Sequence, residues 1–153
     1  SKAPGLDVEL PVENLPGKSS TKLSDVGKWK VLYYYPLDNS AGCTTEAVNF
    51  QKNLAEIRGL NAEVVGVSPQ DLSSHKGFIT KLGLDFPLIS DNGGELAKAY
   101  GAQIKITVVG AFTNRETFII DPEGTIRWKD KNVEAAINSH ATTVVQKLKE
   151  LQQ

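Results

Sequence analysis

The sequence predicts an α/β fold: a mixed central sheet flanked by helices, with an N-terminal extension. Three observations predict it. Apolar, β-branched or aromatic runs of strand length, around Val31 to Tyr35 and Ala62 to Ser68, are each followed by a segment whose apolar residues recur at helical spacing. Crossovers of that length suit parallel pairing between the strands they join. Arg115 to Ile120 and Thr125 to Lys129 are instead separated only by Asp121-Pro122-Glu123-Gly124, a turn sequence that makes them an antiparallel hairpin.

Taken in order, Ser1 to Leu23 is rich in Pro, Gly and Ser and reads as an arm with one edge hairpin near Val8-Glu9-Leu10. Lys28 to Tyr35 is a strand, apolar enough to lie centrally. Thr44 to Arg58 is a helix with Ala47, Phe50, Leu54 and Ile57 on one face, ended by Gly59. Ala62 to Ser68 is a strand closed by Pro69, and Ser73 to Leu82 a helix stopped by Gly83. Phe86 to Ser90 is a short strand; Asp91-Asn92-Gly93-Gly94 turns into a short helix, Glu95 to Tyr100. After the hairpin, Val133 to Leu151 closes the chain as a helix offering Ala136, Ile137, Val144, Val145, Leu148 and Leu151 for packing. The order β-α-β-α-β-α-β-β-α is that of a thioredoxin-like fold with insertions, and 153 residues suit a single domain, 1–153.

Composition narrows the function. The formal net charge of -1 supplies no basic stripe, so no nucleic-acid partner is expected. No apolar run approaches a membrane span. One cysteine cannot form an intrachain disulfide, so the fold does not depend on oxidation. The cytoplasm is the expected compartment, or an organelle such as a plastid if a targeting segment has been removed ahead of Ser1.

That lone cysteine is Cys43, in Tyr35-Pro36-Leu37-Asp38-Asn39-Ser40-Ala41-Gly42-Cys43-Thr44-Thr45-Glu46. It falls where strand gives way to helix, and the partial positive charge of a helix N-terminus favours thiolate over thiol. Cleaving a peroxide O–O bond with a thiolate requires an ionised sulfur, an oxygen held in line, and donors for the departing oxygen. Cys43 supplies the sulfur. The backbone N–H groups of Gly42 and Cys43 and the Ser40 hydroxyl can meet a peroxide oxygen, Pro36 can cover the sulfur from water, and Arg115 is the best candidate for a guanidinium beside it.

Pro36-x-x-x-Ser40-x-x-Cys43 resembles the peroxiredoxin signature, Pro-x-x-x-Thr/Ser-x-x-Cys. With Gly42-Cys43-Thr44-Thr45-Glu46-Ala47 it is similar to the peroxiredoxin Q, or bacterioferritin comigratory protein, branch. Val64 to Ser68, Ser74-His75-Lys76, Leu88-Ile89-Ser90-Asp91, Ala99-Tyr100-Gly101 and Arg115-x-Thr117-Phe118-x-Ile120-Asp121 extend the likeness in the expected order. The resemblance implies that Cys43 is the peroxidatic cysteine, that Ser40 binds peroxide, that Pro36 shields the pocket, and that Arg115, oriented by Glu46, activates the thiolate. It implies reduction of hydrogen peroxide or organic hydroperoxides through a sulfenic acid, without metal, haem or flavin, by a monomer or weak homodimer.

Two departures matter. Ala41 stands where the branch commonly has proline, and Val48 where many members carry a resolving cysteine. Regeneration must then use an external thiol, a thioredoxin, glutaredoxin or glutathione, or a transient disulfide between chains, and overoxidation should come more easily. Other readings stay open. Ser40 serves equally as a helix cap, and Glu46 equally as a dipole-complementing first-turn acid. His75 and His140 read as surface residues, Trp29 and Trp128 have no assigned role, and at least one of Tyr33, Tyr34 and Tyr35 is core packing. Cys-x-x-Cys reductase chemistry is excluded for want of a second cysteine, and a Cys-His hydrolase lacks a recognisable histidine. A peroxide sensor that relays oxidation to a partner is the alternative function.

Overall fold

The computed structural model describes residues 3, 5–25, 27–35, 38, 41–91, 96, 99, 103–107, 110–113, 115–130 and 137–153, those of 103–107 and 110–113 as backbone alone. Strands β1 (Leu10–Glu13), β2 (Ser20–Thr21), β3 (Trp29–Tyr34), β4 (Ala62–Ser68), β5 (Leu88–Ser90), β8 (Glu116–Ile120) and β9 (Ile126–Asp130) form one sheet in the order β2-β1-β5-β4-β3-β8-β9. β3, β4 and β5 run parallel, while β8 pairs antiparallel with β3 and carries β9 as its hairpin partner. The mixed sheet, its parallel centre and its antiparallel edge are those the sequence predicts. Asp121 stabilises the hairpin turn, its carboxylate accepting the backbone N–H groups of Glu123 and Thr125 at 3.0 and 2.9 Å. The N-terminal arm supplies the β1–β2 hairpin, centred a few residues beyond the expected Val8-Glu9-Leu10.

The chain also carries helices α1 (Ala41–Gly59), α2 (Leu72–Leu82) and α3 (His140–Leu151). α1 buries Cys43, Ala47, Phe50, Leu54 and Ile57 on one stripe, at spacings of four, three, four and three. Asp71 caps α2 by accepting from the Ser74 N–H, and Gly83 closes it at a left-handed φ of 66°. α3 begins seven residues later than its apolar spacing suggests: residues 137–139 form a turn, and 133–136 lie outside the described residues. The predicted helix Glu95 to Tyr100 has only Leu96 and Ala99 among the described residues, both helical. Two strands, β6 (Gln103–Thr107) and β7 (Gly110–Thr113), pair as a separate antiparallel sheet where no element was expected.

The strand period of two divides the core. Val31, Tyr33 and Tyr35 face α1 and α3, whereas Leu32 and Tyr34 face the N-terminal arm with Val65, Val67 and Phe118. All three tyrosines of the run are buried. The two histidines, expected at the surface, are buried as well, 0% exposed for His75 and 3% for His140. Both lie on the core faces of their helices, His75 one turn before buried Phe78 and His140 one turn before buried Val144. Burial is tolerated because their ring nitrogens have partners. His140 Nε2 meets Thr117 Oγ1 at 2.7 Å, and its ring stacks on Trp128 at 6.4 Å. Trp29 takes the Arg127 guanidinium at 5.5 Å from its ring centroid. No helix among the described residues is long and apolar enough to cross a membrane.

Candidate active site

Topology brings Cys43 and Arg115 together across 72 residues of chain. β3 ends at Tyr34, and α1 begins at Ala41 beyond that end. Because β8 runs antiparallel to β3, with Glu116 opposite Tyr34, the start of β8 lies at the same edge. Arg115, the residue immediately before β8, therefore faces the first turn of α1.

Cys43 is the third residue of α1 and 1% exposed. The Arg115 guanidinium donates from Nη1 to Cys43 Sγ at 3.1 Å and to Glu46 Oε1 at 3.1 Å. Arg115 is 8% exposed and Glu46 1%, so this is a buried ion pair rather than a solvated charge. Buried carboxylate and guanidinium tolerate each other only when closely paired. The same nitrogen, Nη1, thus serves both the carboxylate and the sulfur. Gly42 makes room for the guanidinium: a Cβ there would sit 3.0 Å from Arg115 Nη2 and 3.5 Å from Ile137 Cδ1. Glu46 is one turn from Gly42 and Cys43 on the buried face of α1, which is why it meets the arginine rather than solvent.

The sequence-predicted set divides accordingly. Cys43, Arg115 and Glu46 meet, with Gly42 beside them; Pro36 and Ser40 lie outside the described residues. Tyr33 also belongs to this region. Its ring stacks on Phe50 and Tyr35 at 4.7 and 5.5 Å, and its hydroxyl is buried without a hydrogen-bond partner among the described residues. Burial pushes the Tyr33 phenol well above its usual range; the charges of Glu46, Cys43 and Asp38 push the same way, and Arg115 opposes them. It stays protonated through the neutral range.

A second polar cluster lies at Asp38, within the Pro36–Ser40 segment. Asp38 accepts from the Tyr35 hydroxyl at 2.6 Å and the Ser74 hydroxyl at 2.6 Å, and lies 2.8 Å from His75 Nδ1. Its backbone N–H donates to Gln70 Oε1 at 2.8 Å. Burial alone would raise the Asp38 carboxyl, but the hydrogen bonds from His75, Ser74 and Tyr35 outweigh it and hold the group below its ordinary range. Sequence reasoning missed this cluster. Its signals were a charged residue inside the signature segment and a histidine at helical spacing from Phe78. Among the described residues no three His, Cys, Asp or Glu side chains are placed to hold a metal ion.

A thioredoxin-like fold with a buried cysteine at the head of its first long helix and a guanidinium against the sulfur defines a class, the thiol-dependent peroxidases. Residues 1–129 match the AhpC/TSA family, and the chain belongs to it. Peroxiredoxin Bcp of Xanthomonas campestris is 34% identical over 149 residues, covering 95% of this chain and 92% of that protein. Chloroplastic peroxiredoxin Q of Populus jackii is 36% identical over 111 residues, 72% of this chain and 51% of that protein, so the chain spans about half the length of that plant relative. A solved structure of the X. campestris bacterioferritin comigratory protein, studied for alkyl peroxide reduction, is 31% identical, with a TM-score of 0.87 over 97% of this chain and 94% of that one. Peroxide is the substrate class and a thiol the reductant class that this family implies.

Proposed function

We propose that this chain is a one-cysteine peroxidase, a single thioredoxin-fold domain in which Cys43 is the peroxidatic residue. The observation that carries the reading is the 3.1 Å approach of Arg115 Nη1 to Cys43 Sγ. A guanidinium at that distance stabilises negative charge on sulfur, and it stands next to the oxygen on which charge develops as the O–O bond breaks. The Cys43 thiolate attacks one peroxide oxygen. An S–O bond forms, the O–O bond breaks, and the second oxygen leaves as hydroxide or alkoxide and takes up a proton. Sulfur is oxidised by two electrons to the sulfenic acid, and the peroxide is reduced to water and water, or water and alcohol, once the cycle closes. Glu46 keeps the guanidinium in place. Ser40, Pro36 and the N–H groups of Gly42 and Cys43 form the peroxide pocket in this reading, as the family resemblance implies.

The sequence contains one cysteine, so the sulfenic acid is resolved from outside. One external thiol displaces water from the sulfenic sulfur to give a mixed disulfide, and a second thiol releases Cys43. A thioredoxin, a glutaredoxin and glutathione each supply that chemistry. Hydrogen peroxide and organic hydroperoxides are both proposed substrates; the alkyl peroxide activity of the X. campestris relative supports the second. A monomer or weak homodimer suffices, because every residue of the proposed machinery comes from one chain. The chloroplastic address of the plant relatives supports a plastid alongside the cytoplasm as its compartment.

Peroxide consumption with added thiol, followed by intact-mass spectrometry, tests the proposal. The chain should consume many equivalents, pass through a mixed disulfide, and lose all turnover in Cys43→Ser while remaining folded. Turnover by the serine variant would overturn the assignment of the nucleophile. Consumption of a single equivalent, with no recovery on adding any thiol, would replace the enzyme with a peroxide sensor.

A further inference from the structure

Asp38 and His75 form a fully buried pair that the peroxidase chemistry above does not use. Each ring nitrogen and each carboxylate oxygen has a partner. His75 Nε2 lies 3.0 Å from the Ile89 carbonyl oxygen, which can only accept, so Nε2 carries a hydrogen. His75 Nδ1 lies 2.8 Å from Asp38 Oδ2, which already accepts from Ser74, while Asp38 Oδ1 accepts from Tyr35. Both carboxylate oxygens of Asp38 are therefore engaged. The Tyr35 hydroxyl, 3.5 Å from Nδ1, spends its own hydrogen on Asp38.

The pair joins three elements. His75 and Ser74 come from the first turn of α2, Tyr35 from the residue just beyond β3, and the Ile89 carbonyl from β5. Asp38 is two residues along the chain from both Pro36 and Ser40. Its carboxylate and its backbone N–H are both tied, the latter to Gln70 just ahead of α2. An exposed loop in need of a turn would not require a buried charge, whereas a loop that must hold one geometry gains a fixed point from it.

We infer that the buried Asp38–His75 contact is a positioning pair for the peroxide reaction, tying residue 38, five positions ahead of Cys43, to α2 and β5. Neither residue touches the reacting atoms in this arrangement; both act through the place they give residue 38. The inference rests on the proposed role of Cys43.

The test compares two rates on the intact protein. Reduction of hydrogen peroxide needs the site held in its geometry; alkylation of Cys43 by iodoacetamide needs a reactive thiol and access to it. His75→Phe keeps a ring of similar size and removes both ring nitrogens. It is expected to slow peroxide reduction by about 10- to 100-fold, the scale of loss for an ångström-sized misplacement, while alkylation does not slow. Asp38→Asn can still hydrogen-bond His75, and it should fall between wild type and His75→Phe and carry the comparison if His75→Phe does not fold. Unchanged peroxide reduction in both variants, or equal loss in both rates, overturns the positioning role. Cys43→Ser separates the two levels: if it stays active the proposed nucleophile falls, and if it is dead while His75→Phe is fully active only the present inference falls.

Discussion

Gly42→Ala isolates the placement of the guanidinium from every other feature of the site. The substitution keeps the backbone N–H of residue 42, so a peroxide contact made there survives. The new Cβ would lie 3.0 Å from Arg115 Nη2 and 3.5 Å from its Cζ, and something must give by a few tenths of an ångström. Ile137 Cδ1, at 3.5 Å, is in ordinary contact and does not force the outcome. The arginine cannot retreat freely, because Nη1 is bonded to both Cys43 Sγ and Glu46 Oε1 at 3.1 Å. A retreat lengthens one or both bonds. Taking about 100-fold per ångström of misplacement, the rate of peroxide reduction should fall by roughly three- to tenfold. Stability should move little: alanine exceeds glycine by roughly 0.5–1 kcal/mol inside a helix, less in a first turn, and this offsets part of the strain. Stopped-flow peroxide reduction and urea unfolding measure the two effects separately. A wild-type rate would refute the reasoning, since a displaced guanidinium would then be without consequence. A large loss of stability would refute it differently, by placing the damage in the packing of α1.

Further outcomes follow from the same geometry. Arg115→Met should lower the rate of peroxide reduction by about 10²–10³-fold, the usual effect of deleting a preorganised donor. It should also lower the unfolding free energy by about 3–5 kcal/mol, the usual cost of removing one partner of a buried ion pair; urea titration reads this. Val48→Cys should let peroxide drive an intramolecular disulfide, detected by mass, with less sulfinic acid and a reduced helical signal. Residues 43 and 48 are about 7.5 Å apart along an intact helix, beyond the roughly 7 Å limit for bridging Cα atoms, so α1 must open to form it. Burial holds the His140 imidazole below its ordinary value, with Asp130 opposing. Its unfolded form therefore takes up the proton first as pH falls, so its contribution to stability is complete above about pH 6.5 and lost below it. Urea unfolding across that range should show the decline, and His140→Gln should flatten it.

The fold was legible wherever a segment's pattern was decided locally. The Ala47, Phe50, Leu54 and Ile57 stripe, the Ala62–Ser68 strand and the Asp121–Gly124 turn each carry their own signal in spacing or turn chemistry, and each sits where it was expected. β6 and β7 escaped although Ile104 and Ile106 alternate with polar residues, because the flanking segments offered stronger patterns. In the site, Cys43 was visible from its place before a helix. The Arg115 contact was not readable from spacing, since it depends on β8 returning antiparallel beside β3; only the family resemblance pointed to it. The histidines show the opposite limit. A buried histidine resembles a surface one in sequence until its partners are known, and those of His75 and His140 come from 10 to 40 residues away.

The buried sulfur sets two demands against each other. Peroxide is small enough to reach a site held closed, and reaction there benefits from every contact that fixes Arg115, Glu46 and Asp38. In the proposed cycle a thiol reductant, above all one carried on a protein, must reach a sulfur that is 1% exposed, which requires the head of α1 to open. In a chain with a resolving cysteine, disulfide formation would capture that opening. Here the sulfenic acid of the proposed cycle waits for an outside thiol while a second peroxide competes for it in the closed site. The contacts that speed the first oxidation thus also favour the second. On this reasoning a tighter Asp38–His75 pair or Arg115–Glu46 bridge makes a faster peroxidase that is more readily lost to sulfinic acid. In the proposed cycle the balance between the two then depends on how often α1 opens.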